Sequence, residues 1–149
     1  MPRQNAGPAL AYPTTMYAPP ALPDLSRLEE RRRLSPAALR AFFNIMERWG
    51  VRDEDARRLL GGISSGKYYQ LKQDPRHVLD QDRLQRVSYL IGIFKALNIL
   101  YSPRLADSWI QLANTNPIFG ERTPLAYMLQ GGTPAMERVR SLLDARRGG

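Results

Sequence analysis

Residues 109–149 have the sequence WIQLANTNPIFGERTPLAYMLQGGTPAMERVRSLLDARRGG, in which two Thr-Pro pairs each precede apolar residues at helical spacing. A hydroxyl side chain caps a helix and proline suits its first position, so Thr123-Pro124 and Thr133-Pro134 each predict a helix start. The same signal recurs at Ser35-Pro36 and Ser102-Pro103. These starts, with no convincing strand alternation anywhere, predict an all-α fold.

The rest of the chain continues the helical pattern. A short charged helical segment over 24–34 precedes a first helix with apolar residues from Leu39 to Trp49 and an end at Gly50. A second helix follows Arg52, a Gly61-Gly62 turn leads to a third over 65–73, and a long fourth starts near Asp80. The apolar stripe of the fourth is Leu84, Val87, Leu90, Ile91, Phe94 and Leu97. Residues 1–25 hold half of the 12 prolines, which predicts a flexible arm.

The charge balance favours an acidic partner. The chain has 22 Lys+Arg against 14 Asp+Glu, a formal net charge of +8. This surplus suits a polyanion or an acidic protein, and net charge alone does not choose between them. No cysteine is present for a disulfide or a thiolate metal site. Without an apolar run of the ~20 residues that a membrane helix needs, we expect a cytoplasmic protein that does not contact a membrane.

The sequence argues against an enzyme. His77 is the one histidine, in the loop after Asp74-Pro75, and no second metal-ligand type clusters near it. The segment from Gly61 to Lys67 has the spacing of a phosphate-binding loop, but Tyr68 stands where that motif needs Ser or Thr. We therefore expect no catalytic site, no metal and no cofactor.

Residues 52–73 predict a helix-turn-helix, the supersecondary unit of many DNA-binding proteins. The first of its helices would cross the DNA backbone, and residues 64–73 would form the recognition helix. The predicted DNA contacts are polar or basic: Arg57, Arg58, Ser64, Ser65, Lys67, Tyr69, Gln70 and Lys72. The doubled glycine adds one residue to the commonest turn. The alternative is two packed helices of a bundle with no DNA-binding role.

The C-terminal third resembles the toxin-binding domain of the Xre/MbcA/ParS antitoxins. In that domain a Trp helix, an Asn-x-x-(Phe/Leu)-Gly turn, a (Ser/Thr)-Pro-Leu helix start and a Gly-rich break occur in this order. Here Trp109, the turn from Asn116 to Gly120, Thr123-Pro124-Leu125 and Gly131-Gly132 carry the pattern. The resemblance covers about residues 80–149 and extends more loosely back to about Ser35. Such antitoxins commonly carry an Xre-like helix-turn-helix ahead of this domain, which supports the DNA-binding interpretation.

The resemblance implies a RES-domain toxin as the partner, an enzyme that consumes NAD and whose active-site cleft the antitoxin covers. The toxin contacts that it implies are Thr123, Pro124, Leu125, Met128, Arg138, Arg140, Arg146, Arg147, Gly148 and Gly149. A flexible end over 146–149 could enter this cleft, which is built to hold a dinucleotide's phosphates or ribose, and its arginines could reach the partner's carboxylates or an anion site. For Met128, as for Trp109 and Phe119, packing in the core is the alternative.

The sequence thus predicts a helical bundle with a helix-turn-helix, followed by a small helical toxin-binding domain. The predicted boundaries are 1–25 for the arm, 26–79 for the DNA-binding region and 80–149 for the toxin-binding domain. The function implied is that of an antitoxin in a type II toxin–antitoxin pair, a homodimer that also binds its own operator DNA. The alternative is a stand-alone transcriptional regulator whose C-terminal domain only dimerises.

Overall fold

The computed structural model describes residues 23–148, and over this range the fold is all-α, as predicted. The predicted arm lies almost wholly outside the described residues. The helices are α1 (Leu28–Trp49), α2 (Asp53–Leu59), α3 (Ser65–Gln73), α4 (Gln81–Leu100), α5 (Pro103–Ser108) and α6 (Pro124–Gly148). Two 3-10 turns, Trp109–Gln111 and Pro117–Phe119, connect α5 to α6. None of the residues from 23 to 148 is in a strand.

Helix α1 begins earlier than the sequence predicts. The Ser35-Pro36 pair, expected to start it, lies inside a continuous helix that begins at Leu28, with Glu29 and Glu30 in the first turn. Acidic side chains there interact favourably with the helix dipole. Ser35 is buried, and its Oγ accepts a hydrogen bond from the backbone N–H of Leu79 at 2.9 Å. The hydroxyl therefore fixes the loop before α4 instead of capping its own helix. The end at Gly50, which has a φ of 67°, is as predicted.

Helix α4 forms the centre of the molecule, because both α1 and α6 pack against it. Every residue of its predicted stripe packs in the core or against it. Leu84, Val87, Leu90 and Leu97 are buried, and Ile91 and Phe94 are half-buried. Ile93 and Ala96, which lie outside the predicted stripe, are also fully buried. A single stripe suits a helix that packs on one side, whereas α4 contacts neighbours on two sides.

Helix α6 bends sharply at the predicted glycine break. Gly132 has non-helical angles, φ 66° and ψ −145°, within what is otherwise continuous helix. A side chain is strained at such a φ, so glycine is required there. The neighbouring Gly131 has no room for a side chain, because a Cβ would lie 2.6 Å from the Cβ of Ala135. At the start of α6, Thr123 Oγ1 accepts from the backbone N–H of Ala126 at 3.1 Å, the predicted cap.

Candidate nucleic-acid and partner-protein surfaces

The turn between α2 and α3 has a defined backbone in spite of its doubled glycine. Gly61 and Gly62 have φ values of 97° and 84°, which favour glycine at both positions. Arg57 Nε donates to the carbonyl of Ile63 at 3.0 Å and closes the turn from the α2 side. Ser64 Oγ accepts from the backbone N–H of Lys67 at 3.2 Å and caps α3. The predicted DNA contacts Arg57 and Ser64 therefore already have structural roles.

The outer face of α3 carries the rest of the predicted DNA contacts on that helix. The buried side chains of α3 are Tyr68 and Leu71, which leaves the opposite face open. The predicted contacts on α3 are all exposed, namely Ser65, Lys67, Tyr69, Gln70 and Lys72. Within residues 23–148, neither of these lysines forms an ion pair. Both ammonium groups are thus available for a polyanion.

Asp53 connects α2 to this face, and the sequence analysis missed it. Tyr69 Oη donates to Asp53 Oδ2 at 2.6 Å, and Tyr68 Oη donates to Oδ1 at 3.4 Å. The hydrogen bond from Tyr69, with the charge of Lys72 nearby, holds the pKa of the Asp53 carboxyl below its usual range. Burial, followed by the charge of Asp53, raises the pKa of Tyr68 to about 12. Asp53 therefore stays ionised and fixes the position of the exposed Tyr69 ring.

The start of α2 is acidic, with Asp53, Glu54 and Asp55 in its first turn. Asp55 is buried and pairs with Arg52 at 3.3 Å and with Arg58 at 3.9 Å. The guanidinium of Arg58 also reaches the carbonyl of Leu129 in α6 at 3.5 Å. Arg58, a predicted DNA contact on α2, therefore already contacts both the Asp55 carboxylate and a backbone carbonyl of the C-terminal half. Positive charge without a carboxylate partner lies on α3 and not at the start of α2.

Several predicted toxin contacts form the core of the C-terminal half. Pro124 and Leu125 are buried, and Met128 has no exposed surface. Trp109 and Phe119 are also buried, with ring centroids 6.1 Å apart. Helix α6 packs against the 3-10 turn at Trp109, and the apolar side chains at its start face inward. These side chains cannot contact a partner in this conformation. Thr123 is half-buried and caps the helix.

The predicted basic end is helical rather than flexible. Helix α6 continues to Gly148, and Gly149 lies outside the described residues. Arg147 pairs with Asp144 at 3.6 Å one turn earlier, and Arg146 Nη1 donates to the hydroxyl of Tyr101 at 3.0 Å. These contacts, with Leu143 buried beneath, stabilise the last described turns of the helix. Arg146, Arg147 and Gly148 are exposed, so this end remains open to a partner.

The remaining predicted arginines of α6 differ from each other. Arg140 is half-buried over α4, where a Cβ on Gly92 would lie 2.5 Å from the Arg140 Cζ atom. It also pairs with Asp144 on its own helix at 3.5 Å. Arg138 is exposed, and its Nη1 donates to the Tyr127 hydroxyl at 3.4 Å. Of these two, Arg138 is the one that faces solvent.

Comparison with known proteins identifies both halves. The antitoxin Xre-like helix-turn-helix domain matches residues 28–92, and the antitoxin Xre/MbcA/ParS C-terminal toxin-binding domain matches residues 95–149. The uncharacterized protein y4oB of Sinorhizobium fredii (strain NBRC 101917 / NGR234) is 38% identical over 115 residues, 76% of this chain and 87% of that protein. This chain belongs to the Xre-type antitoxins. No solved structure matches it.

The antitoxin is not an enzyme, as predicted from its residues, and it has a toxin-binding domain. The two matched regions meet inside α4, near Gly92. This helix packs against α1 of the first region and α6 of the second. The helix-turn-helix and the toxin-binding region therefore share one core. The boundary between residues 79 and 80 stays a prediction.

Arg122 is a further basic residue at this surface, half-buried, and it was not among the predicted contacts. The Arg122 Cζ atom lies 5.2 Å from the centroid of the Tyr127 ring, and Arg122 Nε donates to the Phe119 carbonyl at 2.8 Å. Arg122 and Arg138 line the same shallow cleft of about 270 Å³ at the bend of α6. No signal in the sequence places them together, because the bend brings Arg138 back towards the turn before α6.

Residues 23–148 contain neither a membrane-spanning helix nor a metal-ligand cluster. None of the antitoxin's described helices has both the length and the apolar composition needed to cross a bilayer. The same residues contain no group of His, Asp and Glu side chains arranged to hold a metal ion.

Proposed function

We propose that this antitoxin neutralises a RES-domain toxin by covering its active-site cleft, and that as a dimer it binds its own operator DNA to regulate transcription. The observation that carries the proposal is the toxin-binding match over residues 95–149, on a helical unit whose outer surface is basic. A basic surface suits the carboxylates of an acidic partner electrostatically, because forked guanidinium groups match them. Both partners would meet the antitoxin in the cytoplasm.

The proposed toxin surface consists of the exposed side of α6 and the turn before it. Arg138, Arg146, Arg147 and Gly148 supply its exposed predicted contacts. Because the end is helical, it would enter the cleft as a rigid unit and would lose little conformational entropy on binding. Pro124, Leu125 and Met128 would support this surface from below without contacting the toxin.

The proposed operator contacts lie on α3. Lys67 and Lys72 would neutralise phosphates, while Ser65, Tyr69 and Gln70 would face base edges or the backbone. Asp53 would repel phosphates at the start of α2, so α3 would carry more of the binding than α2 does. In a dimer, two copies of α3 would meet half-sites about one helical turn, ~34 Å, or a multiple of it apart.

Co-expression with the neighbouring reading frame tests the toxin assignment. The neighbour expressed alone should arrest growth and lower cellular NAD, and the full antitoxin chain should restore both. A neighbour that is harmless alone, or that stays toxic with this protein in excess, would contradict the assignment. The first of these outcomes, together with sequence-specific DNA binding, would favour the stand-alone regulator.

A further inference from the structure

The bend of α6 forms a basic cleft within the proposed toxin surface, and the group that it would bind has not yet been named. Arg122 lies on one side and Arg138 on the other, with Tyr127 between them and Gln130, Gly131 and Pro134 completing the wall. Arg122 lies against the Tyr127 ring face, and Arg138 donates to the Tyr127 hydroxyl. We name this arrangement the elbow cleft.

The elbow cleft is positively charged and has no internal counter-charge. In the described part of the chain, neither of its arginines has a carboxylate within ion-pair distance. Residues 1–22 contain no acidic residue that could supply one. The other arginines late in α6 differ, since Arg140 and Arg147 share Asp144. Two guanidinium groups that line one cleft without a carboxylate favour the binding of an external anion.

Both arginines are held in place before any partner binds. Arg122 uses Nε for the Phe119 carbonyl and Nη1 for the Gln130 side-chain oxygen. Arg138 uses Nη1 for Tyr127, which is itself buried. A guanidinium has five N–H donors in a fixed fork, so each retains donors that can bind an acceptor. An ordered pair of forks loses less entropy on binding than two free side chains would.

The geometry points to the elbow cleft as the site where the antitoxin takes up a carboxylate side chain of its toxin. This inference rests on the proposed function. Forked guanidinium donors match the two oxygens of an Asp or Glu. The cleft volume of about 270 Å³ is below the ~300–1,000 Å³ of sites that enclose a drug-sized ligand, so it suits one side chain better than a nucleotide. All residues of the cleft lie within the toxin-binding match.

The glycine break at Gly131-Gly132 also brings the two arginines of the elbow cleft together. Gly132 allows the bend, and the close contact between Gly131 and Ala135 sets how tightly the chain turns there. Without the bend, Arg138 would continue along the axis of the first half of α6 and would move away from Arg122. The break therefore assembles the two arginines into one site.

The test measures binding of the full antitoxin to the purified neighbouring toxin by titration calorimetry. Arg122→Gln with Arg138→Gln should weaken binding at least about tenfold, because a toxin carboxylate would then be buried without its partners. Arg40→Gln is the matched control, since Arg40 is exposed and lies outside the toxin-binding match. Arg138→Gln alone should weaken binding severalfold. This single variant controls for misfolding of the double variant, in which the Phe119 carbonyl loses its side-chain donor and keeps only the backbone N–H of Arg122.

The outcomes separate the inference from the proposed function. Tight toxin binding by wild type and by both variants would overturn the carboxylate site and leave the antitoxin assignment intact. No binding by wild type would overturn the proposed function and the inference with it. If ADP-ribose alone bound wild type, and if the double change abolished that binding, the cleft would be a nucleotide site. That result would also overturn the inference.

Discussion

Replacing Met128 by alanine separates packing from toxin contact at the start of α6. The side chain has no exposed surface and belongs to the main hydrophobic core. Truncating a buried Met to Ala costs about 2–5 kcal/mol, from lost transfer free energy and from the cavity left behind. For a chain of this size, each kcal/mol of lost unfolding free energy lowers the melting temperature by about 2–4 °C. A loss of about 3 kcal/mol should therefore lower the melting temperature by about 6–12 °C.

The assay pairs thermal unfolding, followed by circular dichroism, with toxin binding at a temperature where the variant is fully folded. If Met128 only packs, Met128→Ala should bind the toxin with wild-type affinity under those conditions. Ser141→Ala is the control on the same helix, because Ser141 is exposed and its truncation should leave stability unchanged. An unchanged melting temperature together with lost toxin binding would refute the packing argument. It would restore Met128 as a contact.

Three further predictions concern the proposed binding surfaces. Lys67→Ala with Lys72→Ala should weaken operator binding, and the slope of log binding constant against log salt concentration should fall by roughly one for each lost phosphate contact. Lys95→Ala, the control, should change neither quantity. An unchanged slope in a folded double variant would exclude α3 as the recognition helix. The pKa of Asp53 is depressed, so its stabilising contribution is present above about pH 4 and is lost as the pH falls below that value. Acid titration followed by circular dichroism should therefore destabilise wild type more steeply than Asp53→Asn, and parallel curves would exclude this role. Arg146→Glu with Arg147→Glu should reduce growth rescue more than the double alanine change, since repulsion from an acidic cleft exceeds lost attraction; equal rescue would exclude the helical end as a contact.

Local sequence signals predicted the helices best. Ser102 and Thr123 cap their helices through backbone N–H groups three residues ahead, so the nearby sequence contains both partners. Ser35 carries the same signal, but its hydroxyl bonds Leu79, which is 44 residues away. The Ser35-Pro36 pair therefore lies inside a helix, because the Ser35 hydroxyl bonds the loop before α4 and does not cap α1. A local pattern cannot reveal a partner that only the fold brings close.

The candidate sites show the same limit. Exposure of the α3 face followed from helical spacing, because Tyr68 and Leu71 point inward as the pattern requires. The hydrogen bond from Tyr69 to Asp53 spans 16 residues and gave no sequence signal. Helical spacing also identified Leu125 and Met128 as apolar, but it could not say whether they face the core or a partner. Their burial is a property of how α6 packs over the turn at Trp109.

The contacts between the two halves bear on how the proposed functions relate. Gln111 Nε2 donates to the Trp49 carbonyl at 2.7 Å and so caps α1 from the C-terminal half. Arg48 pairs with Asp107 at 3.1 Å, and α4 packs against both α1 and α6. A partner that binds only the folded chain raises the free energy of unfolding of the whole chain. The increase is about 2.7 kcal/mol when the free partner concentration is 100 times its Kd. Because the halves share one core, a toxin bound at α6 would also stabilise the helix-turn-helix, so the complex would present α3 in its folded position more persistently than the free antitoxin.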